Sequence, residues 1–224
     1  MRGWLLRFGI LGGTFDPIHL GHCRLAEETG EDLKLEKVFL IPAAAPPHKE
    51  GKPITSFQHR LEMTRIAAQG SPRLEALDLE GRRQGVSYSI DTLRELHEGF
   101  KPDPEIFFIL GMDAFLEIDT WKEYDRLFNY AHFVVIDRPG FGLEGLEVFL
   151  QSLGMPFRKE GEGGPFVAPS GYTITGRKAT LMDISSTMIR EKASAGKSLR
   201  FLVTEAVRSY ITENGLYGVH GGAR

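Results

Sequence analysis

The sequence contains a single cysteine, Cys23, so no disulfide can form within the chain. That usage fits a reducing compartment and makes the cytoplasm the expected location. No run of about 18 or more apolar residues occurs, which leaves no candidate for a helical membrane span. The early stretch MRGWLLRFGILGGTF is broken by Arg7 and lacks the small-residue cleavage site of a secretory signal. Basic charge is not in excess either. The formal net charge is −3, so no general field draws nucleic acid, and a small anionic substrate would need a local basic site. Internal repeats and low-complexity tracts are missing. What remains is an ordinary globular composition, 42% hydrophobic and 25% charged over 224 residues, enough for one sizeable domain.

Apolar runs and helical patterns alternate along the chain. Strands are expected at Leu5 to Leu11, Lys37 to Ile41, Leu74 to Leu79, Glu105 to Leu110, Ala131 to Asp137 and Lys178 to Met182. Helices are expected from Leu20 to Leu33, after an N-cap at Ser56, from Ser89 and over Leu143 to Leu153. Two more helices close the chain, the last carrying Val203, Ala206, Val207, Tyr210 and Ile211 on one side. Residues 156–169 are Gly-rich and read as a loop. Strands that are apolar throughout argue for a parallel sheet covered on both faces. The predicted class is therefore α/β: a Rossmann-like, doubly wound parallel sheet with a small C-terminal helical part. Residues 1–183 form the expected core, and 184–218 a helical segment completing the same domain. Such sheets bind ligands beyond the carboxyl ends of their strands.

Three constellations lie at predicted strand ends. Gly12-Gly13-Thr14-Phe15-Asp16-Pro17-Ile18-His19-Leu20-Gly21-His22 follows the first strand and opens a helix. Paired glycines let a backbone approach a ligand closely, and the N–H groups at a helix start favour phosphate. His19 and His22, three apart, share one helical face and could stabilise charge on phosphate oxygens. A metal site would need a third ligand, and none stands nearby in sequence. Pro46-Pro47-His48-Lys49 follows the second strand, where the prolines stiffen the loop that presents Lys49. Ile184-Ser185-Ser186-Thr187-Met188-Ile189-Arg190 reads as a capped helix start with Arg190 one turn further in. Each segment alone has a bland reading as a turn, a solvated loop or a common cap. All three suit a polyphosphate.

GGTFDPIHLGH resembles the first signature of the nucleotidylyltransferase superfamily, and ISSTMIR resembles its second. Within it, PPHK, YSIDTL at Tyr88 to Leu93, LGMDAF, Trp121 and DRPG make the chain similar to the bacterial nicotinate-nucleotide adenylyltransferases over about residues 8–217. The resemblance implies a nucleotide-binding core and transfer of AMP from ATP to nicotinic acid mononucleotide, with Mg²⁺ carried on ATP. It implies that Gly12, Gly13, Thr14 and Phe15 line the ATP site, with His19 and His22 on its phosphates. Lys49 would bind phosphate, Ser185, Ser186, Thr187 and Arg190 the β- and γ-phosphates, and Gly111 and Asp113 the adenosine. Ser89 and Trp121 would frame the pyridine. Lys122 stands where the family often has an aromatic. ATP and the mononucleotide are the expected partners, and homo-oligomerisation is left open.

Two other motifs compete. Gly140-Phe141-Gly142-Leu143-Glu144-Gly145 matches the dinucleotide fingerprint G-x-G-x-x-G of an NAD-dependent oxidoreductase. Arg138-Pro139 before it spoils the tight strand-to-turn passage that fingerprint needs. Gly196-Lys197-Ser198 looks like the tail of a P-loop but has Glu191 where the earlier glycine belongs. A nearer rival is another member of the superfamily, such as phosphopantetheine adenylyltransferase, which is typically shorter and lacks the Trp121 segment.

Overall fold

The computed structural model describes residues 6–46, 54–137 and 144–218. An eight-stranded sheet runs in the order β3-β2-β1-β4-β5-β8-β7-β6. Its strands are β1 (Arg7–Gly13), β2 (Lys37–Pro42), β3 (Leu74–Ala76), β4 (Glu105–Gly111), β5 (His132–Ile136), β6 (Arg158–Lys159), β7 (Phe166–Val167) and β8 (Thr173–Arg177). From β3 to β8 the pairing is parallel, and β7 and β6 add an antiparallel edge. This is the Rossmann-like, doubly wound α/β class.

Strand geometry explains the continuous apolar runs. Successive side chains point to opposite faces. Phe8, Ile10, Phe39, Ile41, Ile106, Phe108, Leu110, Phe133 and Val135 enter one core. Their neighbours Leu11, Val38, Leu40, Phe107, Ile109, Val134 and Ile136 enter the other. The first face is covered by α3 (Ser89–Gly99), the single turns α4 (Met112–Phe115) and α5 (Tyr124–Leu127), and α6 (Gly145–Ser152). The second is covered by α1 (Leu20–Asp32), α2 (Phe57–Ala68), α7 (Ser186–Ser194) and α8 (Glu205–Glu213). Gly9 sits where a Cβ would meet Leu35, Ile109 and Val38 at 3.0–3.2 Å, so helix and sheet close over a bare backbone there.

Several expectations are corrected. The last parallel strand is Thr173–Arg177, not Lys178 to Met182. Residues 178–184 run on beyond the sheet, where the Thr180 N–H donates to Glu28 on α1 at 2.9 Å and Leu181 and Met182 stay exposed. The supposed loop at 156–169 contains β6 and β7, two residues each, joined by a turn with Gly161 and Gly163 at positive φ. The third strand stops at Ala76 rather than Leu79. On α8, Val207 and Ile211 are buried, while Ala206 is exposed and Val203 precedes the helix. The fingerprint glycines Gly140 and Gly142 lie outside the described residues.

β1 occupies the middle of the sheet. β2 and β3 lie on one side of it, β4, β5 and β8 on the other. The connections leaving β1 and β4 therefore diverge and open a crevice beyond their carboxyl ends. That crevice falls at Gly12-Gly13 and Gly111, not at the end of β5 where the dinucleotide-like fingerprint would need it.

Candidate active site

The turn from β1 into α1 is held rigidly from several sides. A Cβ on Gly12 would meet nothing within 4 Å, so that backbone is open to a ligand. A Cβ on Gly13 would strike the Phe15 ring at 2.8 Å. Phe15 adopts φ 48°, an unfavourable region for a side chain of its size. Its ring is buried and packs edge-on against His22 at 5.0 Å. The Asp16 carboxylate, 3% exposed, accepts from the Thr55 N–H at 3.3 Å and from the Tyr217 hydroxyl at 2.7 Å. Burial, with Asp16 beside it, pushes the Tyr217 hydroxyl well above its ordinary pKa, so it remains a donor.

His19 is the N-cap of α1 and is buried. Its N–H donates to His22 Nδ1 at 3.3 Å, and the two rings stack at 3.6 Å. With Nδ1 accepting, a neutral His22 carries its proton on Nε2. Cys23 follows directly. Burial raises its thiol to about 11, which keeps it protonated and unreactive.

The start of α7 docks onto this turn. Ser185 caps the helix by accepting from the Met188 N–H at 3.1 Å. Ser186 donates to the Pro17 carbonyl at 2.9 Å. Arg190 donates to the Asp16 carbonyl at 2.7 Å and to Thr187 Oγ1 at 3.2 Å. Two segments whose contacts span 169 and 174 residues thus meet, and the N-terminal ends of α1 and α7 border one cavity of about 610 Å³. His19, His22, Ser185 and Ser186 line its polar side, and Leu25, Ile136, Leu181 and Met182 its apolar side.

A second cavity of about 340 Å³ lies beyond the ends of β1 and β4. Gly12, Gly13, Thr14, Ser89, Gly111, Asp113, Trp121 and Lys122 line it. His22 and Leu25 border both cavities, so the two adjoin at His22. Trp121 is half-buried, its ring 6.1 Å from Phe108. Lys122 Nζ lies 2.9 and 3.2 Å from the Asp91 carboxylate oxygens and 4.8 Å from the centre of the Tyr88 ring.

Of the expected site residues, His19, His22, Ser185 and Ser186 share the larger cavity, and the glycines, Thr14, Asp113, Ser89, Trp121 and Lys122 the smaller. The Phe15 side chain is turned into the core, and the Arg190 guanidinium is engaged at the turn. Pro46 lines the smaller cavity, whereas Pro47, His48 and Lys49 lie outside the described residues. Among the described residues no group of three or more His, Cys, Asp or Glu side chains could hold a metal ion. None of their helices is long and apolar enough to cross a membrane.

A family model described as cytidylyltransferase-like matches residues 10–192. A protein of Desulfatibacillum aliphaticivorans named "Probable nicotinate-nucleotide adenylyltransferase" is 47% identical, covering 95% of this chain and 100% of its own length. One of the same name from Geotalea uraniireducens (strain Rf4) is 43% identical over 95% of this chain and 98% of its own. The chain belongs to the nicotinate-nucleotide adenylyltransferase family. A solved structure of similar fold, Plasmodium falciparum nicotinic acid mononucleotide adenylyltransferase complexed with NaAD, superposes with a TM-score of 0.73 at 20% identity, covering 96% of this chain and 98% of its own.

The geometry also brings in residues that reading along the chain passed over. Thr180, Leu181 and Met182 wall the larger cavity although they read as a strand. Ser87 accepts from the N–H groups of Ala44 and Ala45 at 3.1 and 3.2 Å and so fixes the segment after β2. Arg60 is 1% exposed and touches the first turn. The available signal was a charged residue on the apolar stripe of α2, between Phe57 and Leu61.

Proposed function

We infer that this chain transfers AMP from ATP to nicotinic acid mononucleotide, giving the deamido form of NAD and pyrophosphate. The observation that carries this reading is the meeting of two cavities at His22. The larger is bordered by two helix N-termini and two serine hydroxyls, which suits a chain of phosphates. The smaller offers Trp121, a flat apolar face for a pyridine ring, with Ser89 and the Lys122 ammonium beside it. Gly111 and Asp113 on the same wall suit the adenosine, and Lys49 is the further phosphate ligand of this scheme.

The chemistry asks little covalent work of the protein. A phosphate oxygen of the mononucleotide attacks the α-phosphorus of ATP, the bond to the bridging α–β oxygen breaks, and that oxygen departs on pyrophosphate. The nucleophile is already an anion, so no base need take a proton. Rate comes from alignment of the two phosphates and from donors aimed at the charge that builds on them. His22, where the cavities adjoin, and His19, beside it in the larger one, fill that role, with Ser185, Ser186, Thr187 and Arg190 toward the leaving group. Mg²⁺ enters as part of the ATP substrate, keeping most of its waters. The cytoplasm, where both substrates would be found, is the proposed location.

The test is pyrophosphate release from ATP with nicotinic acid mononucleotide, nicotinamide mononucleotide or phosphopantetheine as acceptor. Release with the first, in preference to the others, is expected. Silence with both mononucleotides would overturn the reading.

A further inference from the structure

The Arg60 guanidinium lies in the interior and reaches carbonyl oxygens rather than a carboxylate. Its Nε donates to Thr55 at 2.9 Å, one terminal nitrogen to Thr14 and to Ala43 at 2.7 Å each, and the other to Ala44 at 3.2 Å. These acceptors belong to the turn after β1, the segment after β2 and the approach to α2. A cation that costs much to bury thus joins three segments, the first two of which are also linked where the ladder ends, by the Ala43 N–H donating to the Gly13 carbonyl at 2.8 Å. Burial lowers its pKa, opposed by the charges of Asp16 and Glu80.

Peptide geometry turns this contact toward the ligand side. In a trans peptide the C=O and the following N–H point in opposite directions. At Ala43 the carbonyl faces Arg60, and the following Ala44 N–H meets Ser87 on the other side. At Thr14 the carbonyl also faces Arg60. The Phe15 N–H is thereby directed away from the interior, toward the side on which Gly13 and Thr14 line the cavity.

We propose that Arg60 is a positioning residue for adenylyl transfer: its buried guanidinium sets the orientation of the Thr14–Phe15 peptide and the distance between the loops after β1 and β2. Four charge-assisted bonds in a rigid planar fork leave these loops little freedom, whereas a lysine could not span the same carbonyls. Arg60 reaches the substrates only through the backbone it holds. The proposal rests on the adenylyl-transfer reading for its effect on rate, but not for its effect on phosphate binding.

The variant is Arg60→Lys, examined first for a wild-type circular dichroism spectrum and cooperative melting. Affinities for ATP and for adenosine are then measured calorimetrically, followed by turnover at saturating substrates. Affinity for ATP is expected to fall about tenfold, the worth of one charge-assisted bond, with adenosine bound as before. Turnover should fall by roughly 10², the cost of a misplacement on the order of 1 Å. A role confined to holding the fold together would lower the melting temperature and weaken both ligands alike. That outcome, or unchanged ATP affinity and turnover, overturns the proposal. Should Arg60→Lys fail to fold, Ser87→Ala loosens the Ala44–Ala45 segment from its outer side and is expected to lower turnover at an unchanged melting temperature. Wild-type turnover in that variant counts against the clamp. If the wild-type protein releases no pyrophosphate, the catalytic reading falls, and the ATP-to-adenosine comparison still decides the role of Arg60.

Discussion

Replacing His22 separates two jobs that one ring performs. Its Nδ1 accepts the His19 N–H at 3.3 Å, and its proton-bearing Nε2 is the candidate donor to phosphate. Asparagine can place Oδ1 near the position of Nδ1 but reaches no further; alanine supplies neither group. For His22→Asn the helix start keeps its acceptor but the ring contacts to His19 at 3.6 Å and Phe15 at 5.0 Å go, worth about 1 kcal/mol, so the melting temperature should fall by about 2–4 °C in a chain this long. Turnover should fall by roughly 10²–10³, as loss of one donor to developing charge does. His22→Ala loses the same ring contacts and in addition the acceptor, worth about 1 kcal/mol at a helix N-terminus. Together these come to on the order of 2 kcal/mol, or a fall of about 4–8 °C. A continuous pyrophosphate assay at saturating substrates and a thermal melt read the two effects independently. If folded His22→Asn turns over at more than about a third of the wild-type rate, Nε2 is not a donor in the reaction.

Trp121→Ala removes the flat face of the smaller cavity and should raise KM for the mononucleotide by about 10- to 100-fold, the usual worth of aromatic stacking on a base, with KM for ATP little changed; equal effects on both substrates would contradict the placement. Gly12→Val projects a side chain into space where a Cβ meets nothing within 4 Å, so ATP binding measured calorimetrically should be lost while the melting temperature holds. His132 is half-buried against Phe107, bonded to Thr173, and desolvated, which lowers its pKa despite the nearby Glu105. The unfolded chain therefore takes up this proton at higher pH than the folded one. Its share of stability is complete above the unfolded value of about 6.5 and is lost as pH falls from there through the lowered folded value, with a slope of at most about 1.4 kcal/mol per pH unit. Urea unfolding of wild type and His132→Gln from pH 5 to 8 should diverge on the acid side by about that slope; parallel profiles would remove His132 as the cause.

The strands at the centre of the sheet were readable because both of their faces are buried, so RFGILGG, KVFLIP and EIFFILG stand out as apolar runs. β8 was misplaced because TITGR alternates with polar residues, while the apolar-looking Lys178 to Met182 lies beyond it. β6, β7, α4 and α5 hold two to four residues each, too few to show any period. The site divides the same way. His19, His22, Ser185 and Ser186 announce themselves through local motifs. Arg60 and Tyr217 act on residues 46 and 201 positions away, and nothing along the chain reveals such partners.

The bond from Tyr217 to Asp16 also orders events during synthesis. A ribosome makes the first turn early, yet the hydroxyl that grips it emerges after all eight strands and the helices α7 and α8 have been translated. A nascent chain can therefore assemble its strands while its reaction centre still lacks one of its fastenings. Polypeptides released a few codons short of Tyr217 would carry every strand and still miss this bond at the place where chemistry occurs.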